Sequence, residues 1–298
     1  MRTTEMESAM ATAAGEAAWT HREEVVNNVR LHWVEAGDGP PVLLLHGFPE
    51  CWWMWRHQIQ PLADAGFRVI APDLRGYNLS DKPSGISAYR IERLVADVEG
   101  LIRVTGGPRA HVAGHDWGGL IAWWLAMLAP ERVERLAILN APHPQVFRRE
   151  IRMPDQMLRS WYAAAVQVPL IPEAAIRAND FALLERVFRA STVRPGAFTD
   201  EDIRRYKEAA AQPGALTAML NYYRAAARRR APKTRRIEHP TLLIWGKRDQ
   251  ALSLRNTYGL ERRVPGIRIE RIAEASHWVA EEVPEKVNAL LTGFLRGG

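Results

Sequence analysis

Apolar and polar positions alternate along EEVVNNVRLHWVEAG (23–37), and that period of two predicts the two strands of an opening hairpin. The pattern then changes. PVLLLHG (41–47), FRVIAPD (67–73), AHVAGHD (110–116), VERLAILN (133–140) and TLLIWG (241–246) are near-continuous apolar runs, and IRIERI (267–272) ends the series. Such runs fit strands buried on both faces, as in a parallel sheet. Helical segments are predicted between most of them, at about 52–65, 88–105, 117–129 and 251–262, and a last one at about 282–296. Strand alternating with helix makes this an α/β chain, its mostly parallel sheet flanked by helices.

One connection breaks the rhythm. Residues 141–240 show no clear strand but contain Arg- and Ala-bearing helical stretches, punctuated by Pro154, Pro169, Pro172, Pro195, Pro213 and Pro232. A structureless loop of that size is improbable. The expected organisation is a mobile tail (1–18), a core (19–143 and 232–298) and an inserted helical cap (144–231).

Composition narrows the function classes. The formal net charge is +6, and RRRAPKTRR (228–236) is the densest basic run. No recognition fold or interleaved aromatics accompany it, so it reads as a solvated face and no nucleic-acid partner is expected. Cys51 is the single cysteine, which excludes an intrachain disulfide and fits a reducing compartment. The first residues lack the apolar stretch of a signal peptide. LIAWWLAMLAP (120–130) is too short to span a bilayer. The expectation is a soluble, cytoplasmic protein without a membrane partner.

GHDWGG (114–119) joins an apolar strand to an amphipathic helix, where hydrolases of the G-x-S-x-G type carry a nucleophilic serine. Its central residue is Asp116. A carboxylate there is either a helix N-cap or a nucleophile. Asp249 follows the strand TLLIWG, and His277 follows IRIERI. Nucleophile, acid and histidine then stand in the chain order of the α/β-hydrolases. No carboxylate follows AILN, which leaves Asp249 as the acid. His46-Gly47-Phe48-Pro49 ends the strand expected beside that of Asp116, so the backbone N–H groups of Phe48 and Trp117 are the candidate oxyanion hole. His46, His115 and His143 form no convincing metal set, and neither metal nor cofactor is expected.

The carboxylate points to attack on a saturated carbon. Serine would give an ether, which water cleaves poorly. Aspartate gives an ester, which a water activated by neutral His277 can hydrolyse while Asp249 orients the ring. An epoxide leaving oxygen needs a proton or strong hydrogen bonds, and tyrosine suits that task. The insert carries Tyr162 and the pair Tyr222 and Tyr223, while Tyr206, in RRYKEA, reads as solvated.

HGFPE, PDLRGYNLSDKP, GHDWGG, LNAPHP, Asp249 and SHW together resemble the soluble epoxide hydrolases of the α/β-hydrolase fold, across nearly the whole chain from about residue 22. The resemblance implies two cap tyrosines that bind and protonate the epoxide oxygen. Tyr162 matches one, seven residues before Pro169, and Tyr223 matches the other, in Asn221-Tyr222-Tyr223-Arg224. It also implies an epoxide and water as substrates; the chain's tryptophans suggest a small apolar or aromatic epoxide, and the oligomeric state stays open, a homodimer included. Trp52, Trp53, Trp55, Trp161 and Trp278 are candidates for an apolar pocket. Haloalkane and haloacid dehalogenases share the Asp–His–Asp set. The former usually carry Asn after His-Gly, where this chain has Phe48, and the fluoroacetate type carries arginines after the nucleophile, where this chain has Trp117-Gly118-Gly119. A silent ligand-binding member of the fold would be free to lose part of the set, which is present throughout. The roles of Glu50, Asp73, Arg75, His143 and Tyr222 stay open.

Overall fold

The computed structural model describes residues 19–228 and 231–298. The expected tail (1–18) lies outside the described residues, as do two positions of the basic run. Strands β1 (Thr20–Val26) and β2 (Val29–Ala36) form the opening hairpin. Asn27 and Asn28 turn the chain at φ +52° and +59°, the left-handed pair that a two-residue hairpin turn requires and that Asn tolerates. β1 is exposed and charged, as suits a sheet edge.

β3 (Pro41–Leu45), β4 (Arg68–Pro72), β5 (Ala110–His115), β6 (Val133–Leu139), β7 (Thr241–Gly246) and β8 (Arg268–Ile272) complete an eight-stranded sheet in the order β1-β2-β4-β3-β5-β6-β7-β8. β1 and β2 pair antiparallel, β2 pairs antiparallel with β4, and the rest of the sheet is parallel. β5 and β7 are buried along their whole length. Helices α1 (Arg56–Asp64), α2 (Ile91–Val104) and α3 (Asp116–Leu128) fall where the pattern predicts them. The fold is that of the α/β-hydrolases, and β3 and β5 are neighbours, so both strand ends open on one place.

Between β6 and β7 the described chain is helical: α4 (Pro144–Glu150), α5 (Pro154–Arg159), α6 (Trp161–Ala165), α7 (Ile171–Ser191), α8 (Asp200–Ala211) and α9 (Ala215–Arg228). α7 is broken at Ala178–Phe181, where Asn179, Asp180 and Phe181 take left-handed φ. α8 opens on a reciprocal capping box between Thr199 and Asp202. These helices attach to the core through Trp53 Nε1–H donating to Asp202 (2.8 Å) and Tyr222 O–H donating to the Arg75 carbonyl (2.7 Å).

The expected helix over 251–262 is not formed; one 3-10 turn, Leu254–Thr257, takes its place. The turn stops where Tyr258 becomes extended and Gly259 takes φ +71°. Ala251 and Leu252 N–H donate to Asp249 Oδ1, and Ser253 N–H donates to Gln156 Oε1 from the insert. The expected last helix is α11 (Pro284–Leu295), with Pro284 in its first turn, and a single turn, α10 (Val279–Glu282), precedes it. Tyr206 is fully buried rather than solvated, its O–H donating to Glu281 at 3.0 Å. Its charged neighbours Arg204 and Arg205 pair with Glu201 of α8, and Lys207 with Glu185 of α7. Trp55 belongs to the deep core, whereas Trp161 is 69% exposed, so the five tryptophans do not share one pocket. Among the described residues no helix is long and apolar enough to cross a membrane.

Candidate active site

β5 ends at His115, and Asp116 is the first residue of α3, at φ +48°. A non-glycine residue held there costs about 1–3 kcal/mol and persists only where its surroundings enforce it. The surroundings are tight. A Cβ on Gly118 would lie 2.1 Å from the Leu45 carbonyl oxygen, and one on Gly47 would lie 2.4 Å from Asp116 Cβ. The small residues of both motifs are therefore what lets β3, β5 and α3 converge on the carboxylate. Asp116 makes no capping bond to its helix. Instead its Oδ1 accepts the Phe48 N–H at 2.9 Å. The Trp117 N–H, the other expected donor, makes no hydrogen bond to Asp116.

His277 sits after β8. Its Nδ1–H donates to Asp249 Oδ2 at 2.8 Å, and its Nε2 lies 3.6 Å from Asp116 Oδ2. Burial favours the neutral ring. The charge and hydrogen bond of Asp249, then the charges of Asp116 and Glu50, outweigh it and raise His277 to about 9. Asp249 is buried, which would raise its own pKa, but His277, Asn140 and the Leu252 N–H hold it below the ordinary carboxylate value. Its Oδ1 takes two backbone N–H groups, and Oδ2 takes His277 and Asn140 Nδ2 (2.7 Å). These neighbouring charges favour the protonated ring, while the neutral ring is the form that can take a proton from water.

Tyr162, on α6, and Tyr223, on α9, meet edge to face with ring centres 5.9 Å apart. Tyr223 packs against Phe48 and Trp117 at 5.4 and 5.0 Å. Desolvation first, then the Asp116 charge, pushes both phenols above their ordinary pKa, so both keep their protons. Tyr222 is turned the other way: it is fully buried, bonded to the Arg75 carbonyl and packed on Tyr77.

The other open residues have structural tasks. Asp73 holds His32, Asn78 and the Trp52 N–H. Arg75 grips Asp97 with two bonds of 2.6 Å. His46 accepts the Leu74 N–H at Nε2, and burial lowers its pKa, so it is a neutral pin between the ends of β3 and β4. His143 Nδ1 accepts the Gln145 N–H at the start of α4. Glu50 bonds His115 Nδ1, and His115 Nε2 meets the His277 carbonyl, each at 2.9 Å. Among the described residues no three His, Cys, Asp or Glu side chains are placed to hold a metal ion. Sequence reasoning missed Asn140, although it stands in LNAPHP: it donates to Asp249 and accepts the Gly246 N–H, bracing β6 against the β7 loop.

Residues 40–284 match the alpha/beta hydrolase fold family. Over 274 residues the chain is 48% identical to the AB hydrolase superfamily protein YfhM of Bacillus subtilis (strain 168), covering 91% of this chain and 96% of that one. It is 39% identical to epoxide hydrolase 2 of Caenorhabditis elegans, covering 93% of this chain and 80% of that protein. The crystal structure of Bacillus megaterium epoxide hydrolase in complex with an inhibitor superposes with a TM-score of 0.87 at 35% identity, over 92% of this chain and 100% of the other. The chain therefore belongs to the α/β-hydrolase fold family and, within it, to the epoxide hydrolases.

Proposed function

We propose that the protein opens an apolar or aromatic epoxide to a vicinal diol through a covalent ester on Asp116. The carrying observation is the carboxylate itself, with Oδ1 on the Phe48 N–H and Oδ2 facing His277. Residues 144–231 act as a cap over the core (19–143 and 232–298), presenting Tyr162 and Tyr223 to the epoxide oxygen. Asp116 attacks a ring carbon, the C–O bond breaks, and the oxygen takes a proton through the tyrosines. Ester formation removes the Asp116 charge, one of the influences that raise His277. Its pKa falls, and the proton it gives up balances the one the alkoxide consumes. Neutral His277, oriented by Asp249, then takes a proton from water. The resulting hydroxide attacks the ester carbonyl, whose oxygen is held by the Phe48 N–H, joined by that of Trp117 as charge develops. Acyl–oxygen cleavage passes the hydroxyl proton of the tetrahedral intermediate to the leaving oxygen, which releases the diol and restores the carboxylate, while the proton taken from water stays on His277. No metal or cofactor takes part.

The test is one turnover of styrene oxide in 18O-labelled water with enzyme in excess. Label is expected in the Asp116 carboxylate and not in the diol. Label entering the diol directly would sink the covalent route.

A further inference from the structure

The insert grips the His277 loop at a second place, away from the tyrosines. Glu282 is buried, five residues beyond His277, and receives donors from both sides. From the His277 loop, Ser276 N–H donates to Oε2 at 2.5 Å and Ser276 Oγ–H to Oε1 at 2.9 Å. From the turn after α7, Thr192 Oγ1–H and Val193 N–H each donate to Oε1 at 2.6 Å, and Arg194 Nη1–H donates to the Glu282 carbonyl at 2.5 Å. Beside this clamp Trp278 Nε1–H donates to Ser191 Oγ at 2.7 Å, and its ring packs on Phe188 and Phe198. The residues on either side of His277, Ser276 and Trp278, are thus both fastened to one short stretch of the insert.

We propose that Glu282 is a positioning residue for His277: it locks the base loop to the inserted helices and so controls how fast the ester is hydrolysed. Its side chain reaches His277 only through Ser276 and touches no reacting atom. A base must be held within a fraction of an ångström of its working place, and a displacement of about 1 Å can cost about 100-fold in rate. Since one carboxylate serves both the loop and the insert, movement of the insert at 192–194 is transmitted to the base. The inference rests on the proposed function, in which His277 acts as a base only in the second covalent step.

The test separates the two steps with styrene oxide. Stopped-flow tryptophan fluorescence follows alkylation, and mass spectrometry of quenched protein follows the ester. Glu282→Gln keeps the volume but turns an amide N–H₂ toward groups that donate. Hydrolysis is expected to slow about 10- to 100-fold while alkylation changes less than about threefold, so the ester accumulates. Thr192→Val, which removes one of the insert's bonds to Glu282 together with the Thr192 hydroxyl's contacts to the Arg194 backbone, is expected to slow the same step by less. Both steps falling in parallel, or neither changing, would overturn the proposal. If Glu282→Gln does not fold, Thr192→Val and Ser276→Ala decide it by the same criterion. Wild-type protein that never forms an Asp116 ester would refute the two-step reading itself, before any variant is made.

Discussion

Single side chains divide the labour around Asp116 by what each can accept or donate. Phe48 N–H holds one oxygen of the carboxylate, His277 faces the other, and two protonated phenols meet nearby. The phenols carry a prediction of their own. Replacing Tyr162 and Tyr223 together by Phe removes the groups proposed to protonate the opening ring, and alkylation is expected to slow by about 10²–10⁴-fold, measured in a single turnover. Tyr222→Phe is the contrast. It removes a bond to a backbone carbonyl, so it should lower Tm while leaving alkylation nearly intact. Unchanged ring opening in the Tyr162/Tyr223 double variant would take the tyrosines out of the mechanism. At this scale the sequence is informative where chemistry demands a rare letter in a known turn, as at Asp116. It is silent where an ordinary polar residue gains its role from a distant partner. Asn140 looks like any strand-end Asn until Asp249, far along the chain, is seen on its amide.

Among the elements, the strands were legible and one helix was not, for a physical reason. β3, β5 and β7 are buried on both faces, so their apolar runs are continuous and announce themselves. The stretch 251–262 has helical composition, yet its backbone leaves the helical region at Tyr258, which is extended, and at Gly259, at φ +71°. Local periodicity counts apolar positions and does not register a backbone break that a glycine permits. The close approach of β3 to the start of α3 was foreshadowed by glycines, and it is testable. In Gly47→Ala the new Cβ would meet Asp116 Cβ at 2.4 Å, so the nucleophile must move off the Phe48 N–H. Alkylation is expected to fall by about 100-fold in a single-turnover assay, since the attacking oxygen leaves its line of approach. Gly293→Ala, in α11 with nothing within 4 Å of the added Cβ, should leave catalysis alone and raise Tm slightly. A wild-type alkylation rate in Gly47→Ala would mean that this contact does not position the nucleophile.

For the molecule as a whole, burial of ionisable groups between insert and core sets how stability responds to pH. Arg56 of α1 is shared by two acids, Asp202 from the insert (3.0 Å) and Glu281 from α10 (2.6 Å), all three buried. One guanidinium cannot compensate both carboxylates fully. Burial, reinforced by the Asp202 charge and opposed by Arg56, raises Glu281 to about 8. An acid whose folded pKa is raised binds its proton more tightly in the folded state, so it loses stability as pH rises from its unfolded value through about 8. His277, raised to about 9, contributes stability that is complete below about pH 6.5 and is lost as pH rises through 9. Both therefore act in the same direction above neutrality. On the acid side the sign reverses: burial lowers His57 and His143 to about 4, so they lose stability as pH falls from 6.5 toward 4. The stability maximum is expected near about pH 6–6.5, with Tm falling by several degrees toward pH 9 in thermal melts. Glu281→Gln should flatten the decline up to about pH 8, and His277→Gln the part that continues to about 9. A wild-type Tm that rises between pH 6.5 and 9 would contradict both assignments. A decline that Glu281→Gln leaves unchanged would show that Arg56 keeps Glu281 ionised and that the acid shared between insert and core is not the source of the pH response.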